Sequence, residues 1–339
     1  MVTVAFAEKS SLPAGQVRCL RRFVLLLVVA ALASGCQNRQ RARVMGRMPI
    51  PTPRVQMLQK PAIDLSRGVA GFPLQAENPP RTPQLLVAAM TEAYRARLEG
   101  SPSLDIQALG SSLKRLQLLQ IDLTGSSVRS TYVPKDQAQE QFARPYILAD
   151  RLRYVANPLK YHDYSASLVV EASKAELTLI PTTDHQWTLV LSDCDEGSAH
   201  IRVGLEDLRR GALAAAKARQ SVAFGINDLS LDITSPSSRV LEARVLVKSR
   251  VFFVPSAFTI SGRVRIDNQF NVHFSRLSAQ GSDPSGAMIA GFVQGKLDKF
   301  NNKAAPLLKL PGGKIRLTDL RFNVDDKLGI DVQFAGTGR

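Results

Sequence analysis

The sequence predicts an α+β protein: a long, curved antiparallel sheet wrapped around amphipathic helices, placed after a leader and a disordered tether. Three observations lead there. From Arg239 to Phe253, Leu241, Ala243, Val245, Val247, Val251 and Phe253 fall on one side and Glu242, Arg244, Lys248 and Arg250 on the other, interrupted only by Leu246 and Ser249. A period of two over such a length belongs to a strand with one solvated face. Apolar residues at three- and four-residue spacing mark helices near 83–98, 204–219 and 284–300. Near the N-terminus, a short apolar run behind arginines has the pattern of an export signal.

That signal comes first in the chain. Arg18, Arg21 and Arg22 precede an apolar run from Phe23 to Ala33, followed by Ser34, Gly35 and Cys36. The run is about half the roughly twenty residues needed to span a bilayer, so a cleaved leader over residues 1–35 is expected. Leu32-Ala33-Ser34-Gly35-Cys36 resembles the bacterial lipobox. The resemblance implies cleavage before Cys36, acylation of its sulfur and a lasting hold on a membrane, since two or three acyl chains bind stably where one does not. An ordinary cleavage site followed by an ordinary cysteine is the alternative. Gln37 in the next position implies outer rather than inner membrane where the enterobacterial sorting rule applies.

Residues 36–81 are expected to be a disordered tether, with Arg39, Arg41, Arg43 and Arg47 close behind Cys36 and prolines at 49, 51 and 53. Those arginines suit an anionic membrane surface at about 1 kcal/mol per basic residue, or serve only to keep the spacer soluble. The formal charge is +15; the leader holds +3 of it (Lys9, Arg18, Arg21 and Arg22 against Glu8), leaving about +12. Export and the lack of aromatic-basic clusters argue against nucleic acid as the partner of this charge.

Order is expected from Thr82, which caps a helix opening at Pro83 and running through Leu98 to Gly100. Residues 113–132 and 163–191 read mainly as strands, the latter as three, at 165–170, 176–180 and 187–191, with residues 134–158 of mixed character. A second helix spans Gly204 to Arg219 with Leu205, Leu208, Ala212, Ala215 and Ala216 on one face. After the strand at 239–253 come alternating runs at 258–266 and 270–274. A helix begins at Ser282-Asp283-Pro284 and carries Ile289, Phe292, Val293, Leu297 and Phe300, and strands follow at 314–324 and 330–334. The expected units are 82–202 and 203–339, with a single domain from 82 to 339 as the alternative.

From Val203 to Gly336 the order and spacing of features resemble the LmeA-like phospholipid-binding family and, more distantly, TULIP-like lipid-binding domains. The features are Gly204-Leu205-Glu206-Asp207-Leu208, the long strands, the helix at Pro284, Leu310-Pro311-Gly312-Gly313-Lys314, Leu317-Thr318-Asp319-Leu320 and Leu328-Gly329-Ile330. The resemblance implies a curved sheet around a helix, with an apolar groove for acyl chains. On that reading the lining is Val245, Val247, Val251, Phe253, Phe258, Ile260, Val264, Ile289, Phe292, Val293 and Phe300. The same residues also suit a closed core.

Catalytic signatures are sparse. The four histidines, His162, His185, His200 and His273, show no metal spacing. Ser111-Ser112-Leu113-Lys114 fits a short Ser-x-x-Lys string without its supporting motifs. Asp193-Cys194-Asp195-Glu196-Gly197 suits a solvated hairpin tip better than a calcium loop, and Cys194 is the one cysteine beyond Cys19 and Cys36. No enzyme activity, cofactor or metal is expected. The expected function is an envelope lipoprotein that binds or transfers lipid; the rival is a docking lipoprotein that meets envelope proteins through its sheet.

Overall fold

The structure is a computed structural model and describes residues 71–99, 104–129, 145–161, 164–181, 186–217, 224–251, 253–307 and 314–337. The leader, Cys36 and the four arginines behind it lie outside the described residues.

An α+β architecture is observed, with three helices among the described residues and two large sheets. The chain opens with β1 (Phe72–Gln75) and α1 (Pro83–Arg95), then β2 (Leu98–Glu99), β3 (Asp105–Ser112), β4 (Arg115–Asp122) and β5 (Ser127–Val128). The long strands β6 (Ile147–Tyr161) and β7 (Tyr164–Pro181) follow, then β8 (Gln186–Asp193) and β9 (Glu196–Gly204). Next come α2 (Leu205–Lys217), β10 (Phe224–Ser237), β11 (Val240–Val251), β12 (Val254–Ile266), β13 (Asn271–Gly281) and α3 (Pro284–Leu297). The chain closes with β14 (Ala304–Pro306), β15 (Ile315–Val324) and β16 (Lys327–Gly336).

The first sheet has eleven strands, with the path β15-β16-β9-β7-β6-β4-β3, and β8, β1, β5 and β2 attached beside it. It is antiparallel except where β4 and β5 run parallel to β6. Leu86 and Met90 of α1 are fully buried with Leu74, Leu119, Ile121, Leu152, Leu177 and Leu189. The second sheet is the antiparallel series β10-β11-β12-β13-β14.

Several expectations need correction. The tether does not extend to residue 81: β1 pairs with β8, Leu74 is fully buried, Trp187 Nε1 donates to the Ala76 carbonyl at 3.1 Å, and Tyr146 Oη donates to the Pro80 carbonyl at 2.5 Å. Burying one leucine stabilises the fold by about 1.5–3 kcal/mol, and a four-residue strand is too short to announce itself by alternation. Helix α1 stops at Arg95 rather than near Gly100, because Leu98 and Glu99 pair with β5 and the Arg97 carbonyl accepts from Arg129 N. The two strands expected at 165–170 and 176–180 are one strand, β7; Lys174 takes φ 49° there without reversing the chain.

The acidic segment at Asp193 is no hairpin tip. β8 pairs with the second half of β7 and β9 with the first half, so β8 and β9 lie end to end along one edge. Between them Asp195 N donates to the Ser173 carbonyl at 3.0 Å. The expected division at 202/203 falls inside β9, and β16 pairs with β9 from Lys327 to Ala335, so both ends of the described chain share one sheet.

Helix α3 is locked by its cap. The Asp283 carboxylate accepts from Gly286 N at 2.7 Å, Ala257 N at 2.7 Å and Ser256 Oγ at 3.3 Å, joining the helix start to β12. Those donors hold the carboxyl below its usual range, the Gly286 backbone bond contributing most. A depressed folded value means that this contribution is present above the unfolded carboxylate range and is lost as pH falls through the folded value. Melting temperature measured from pH 7 downward should therefore fall more steeply in the parent than in Asp283→Asn, whose amide oxygen can still cap but no longer titrates. Equal slopes would show that Asp283 is not a source of acid sensitivity.

Candidate functional site

The alternation read from β11 sets one face of the second sheet. Leu241, Ala243, Val245 and Val247 stand opposite Val264, Gly262, Ile260 and Phe258 of β12. β10 adds Ile226, Leu229, Leu231 and Ile233 to that face, and β13 adds Val272, Phe274, Leu277 and Ala279. Both later helices cover it: α2 packs over β10, α3 over β12 and β13, and β11 runs between them. Toward the other end of the same face, Leu320, Phe322 and Leu328 of the β15–β16 hairpin pack on Ile233, Leu241, Val264 and Val272.

Helix α2 follows β9 without a loop. Glu206 and Asp207 occupy its first turn, where negative charge complements the helix dipole. Arg209 bonds Glu206 at 2.6 and 2.8 Å, Asp228 Oδ1 at 3.2 Å and the Leu229 carbonyl at 3.2 Å, tying the helix to β10. Asp207 accepts from Arg210 at 2.5 Å and from Ser165 Oγ at 3.2 Å, tying the same turn to β7. The hydrogen bond from Arg209 keeps the Glu206 carboxyl below its usual range. Polar groups thus fix α2 at its first turn, leaving Ala212, Leu213 and Ala216 to meet the sheet.

The eleven groove candidates separate into three groups. Val245, Val247, Phe258, Ile260, Val264 and Val293 are at most 2% exposed and form core rather than an accessible lining. Ile289 and Phe300 are half-buried against that core. Phe292 and Phe253 face outward, at 48% and 91% exposed, and the Val251 side chain lies outside the described ones. Val245, Val247, Phe258, Ile260 and Val293 owe their burial to α2 and α3 meeting the sheet through Ala212, Ala216, Ala290 and Leu297, and Val264 owes its burial to the β15–β16 hairpin. Sequence reasoning missed Leu213, half-buried on α2, and Phe224, half-buried at the start of β10. Leu213 is five residues after Leu208 and falls off the face that Leu205 and Leu208 set, so helical spacing does not single it out.

Polar side chains elsewhere form structural pairs. His200 Nδ1 lies 2.7 Å from Asp331 Oδ1 and Arg202 Nη2 is 2.8 Å from the same oxygen, joining β9 to β16. Burial opposes ionisation of Asp331, but these two partners outweigh it and hold the carboxyl low. His273 Nε2 lies 2.7 Å from Asp267 Oδ2 across the β12–β13 turn. The thiol of Cys194 is buried, and burial with Asp193 and Asp195 beside it pushes its pKa to about 11, so it remains protonated at neutral pH. Lys114, in the β3–β4 turn, donates to the Pro145 carbonyl just before β6, while Ser111 is on β3. Among the described residues no three histidine, cysteine or acidic side chains meet as a metal set, and no helix is long and apolar enough to cross a membrane.

No protein-family profile, curated protein or solved structure matches the chain. What the fold and site define is a class: an α+β protein whose second sheet carries two helices on one apolar face.

Proposed function

We propose that the chain is a lipid-anchored protein of the cell envelope that holds or passes phospholipid-like molecules without catalysis, in an apolar seam of a TULIP-like module. The observation that supports this reading is the placement of α2 and α3 on one face of the second sheet with β11 between them. Half-buried Leu213 and Ile289 stand on the two helices and half-buried Ala243 lies on β11, above the closed core of Val245, Val247 and Ile260, so the lining of the seam is the half-buried set. An acyl chain laid in such a seam gains about 0.8 kcal/mol for each methylene removed from water, while its head group stays at the polar rim. Acylation at Cys36 and the arginines at 39, 41, 43 and 47 would keep the module at a periplasm-facing membrane, the outer one by the sorting rule for Gln37.

The test is lipid extraction with native mass spectrometry of the full chain. Covalent acyl groups stay with the protein under denaturing conditions and disappear in Cys36→Ser; ligand lipid leaves with the organic phase. Phospholipid at defined stoichiometry is expected, and at least a tenfold loss in Leu213→Lys and Ile289→Lys. Half-buried positions are chosen because a charge at fully buried Val247 would unfold the sheet instead. A stable protein that carries no lipid and takes up none when phospholipid is added would sink the seam reading.

That outcome would favour docking of an envelope protein. The second sheet's other face supports this alternative, with Ser230, Asp232, Arg244, Lys248 and Arg265 exposed on three adjacent strands.

A further inference from the structure

The β11–β12 hairpin ends in side chains that no interior accounts for. Phe253 is 91% exposed and Val254 55% exposed, and two further large apolar side chains, Met288 at 67% and Phe292 at 48%, lie on the outward side of α3. Asp283 fastens the start of α3 to Ala257, three residues beyond Val254, so the tip and the start of the helix share one corner of the second sheet. Among the described residues only Leu85 and Leu109 are comparably exposed elsewhere, and both belong to the first sheet's part of the chain. Helix α3 carries a single charged side chain, Lys296, whose ammonium lies 5.7 Å from the Phe292 ring centre.

Charge at the corner is mainly positive. Lys248 and Arg250 are exposed on the strand leading to the tip. Its nearest acids are already engaged: Asp283 in the cap, and Asp228 with Arg209 at 3.2 Å and with Lys248 at 3.7 Å, so Arg250, nearer the tip, is the leading cation there. Apolar side chains at a tip, with basic side chains one strand-turn behind them, match the layering of an anionic bilayer: hydrocarbon below, phosphate above.

We propose that this corner is a membrane seat, with Phe253 and Val254 entering the interface of an anionic bilayer, Met288 and Phe292 lying against it, and Lys248 and Arg250 meeting the head-group phosphates. The seat is separate from the α2–α3 seam and does not require the seam to hold lipid. It would set the orientation in which an anchored protein faces its membrane, which a tether alone leaves free.

The experiment places a tryptophan at the tip of the full chain. Phe253→Trp and Phe292→Trp are compared with Leu109→Trp, each read as the increment over the parent, which retains Trp187. Vesicles contain phosphatidylglycerol with phosphatidylcholine, or phosphatidylcholine alone, with brominated acyl chains as the quencher. At least twofold quenching of the added fluorescence at 253 and 292 is expected on anionic vesicles, little at 109, and a severalfold weaker response at 253 in the Lys248→Glu/Arg250→Glu background. The readout is local, so a covalent anchor that merely tethers the protein to the vesicle leaves position 109 as its own control. An unquenched Trp at 253 overturns the proposal and leaves the corner to a protein partner. Equal quenching at 109, or equal quenching on phosphatidylcholine alone, overturns it as well. Lipid extracted from Phe253→Trp reports on the seam independently, so failure of one reading is distinguishable from failure of the other.

Discussion

Replacing Phe258 by alanine is expected to lower the free energy of unfolding by about 3–5 kcal/mol, the range for emptying a buried aromatic site. Phe258 has no exposed surface and sits opposite Val247 of β11 on one side and Gly281 of β13 on the other. Its side chain belongs to the cluster that includes Val245, Ile260, Ala290, Val293 and Leu297, so the cavity would open between sheet and α3. The neighbours are held by strand pairing and by the Asp283 cap, which limits collapse into the space. Urea unfolding followed by circular dichroism checks the value, with Phe292→Ala as the comparison. Phe292 is about half exposed, and its loss should cost about 1 kcal/mol or less. Similar losses at the two positions would mean that the face beneath α3 is not packed as observed.

The second large effect is expected at Gly286. A Cβ built there lies 2.0 Å from the Ala257 carbonyl oxygen, a backbone atom inside the β12 ladder that cannot swing aside. Gly286→Ala must push α3 off β12 or distort the cap, and is expected to destabilise by about 1–3 kcal/mol or more. The same substitution should have the opposite sign one and two turns later. A Cβ at Gly291 or Gly295 meets nothing within 4 Å, and both are helical, so Gly291→Ala and Gly295→Ala should stabilise by about 0.4–1 kcal/mol. Thermal melts of the three variants decide the matter. A Gly286→Ala protein as stable as the parent would show that the helix does not approach β12 this closely.

Much of the second sheet was legible because its information is local. Val245 and Val247 alternate with Arg244 and Lys248, and that alternation survives as the inner and outer faces of β11. Pro284 after Asp283 announced α3, and Asp283 does cap it. The site was less legible. Alternation identifies which side chains point inward but not what lies above them, so Val247 and Phe258 fit either a groove lining or, singly the better reading, a closed core, and the positions of α2 and α3 decide for core. Phe253 shows the reverse error: its parity assigned it inward, yet it lies past the last paired residue of β11, where the turn carries it into solvent.

By itself the sequence determined the class of the fold and most element positions, since strand alternation and helix caps depend on residues within a few positions of one another. Only the tertiary structure decided that β1 belongs to the first sheet, that β8 and β9 run end to end beside β7, and that β16 closes on β9. These are pairings between distant segments, such as His200 with Asp331, 131 residues apart. Their stabilisation comes from burying faces and satisfying edge hydrogen bonds across the whole chain, and no local window of sequence contains it.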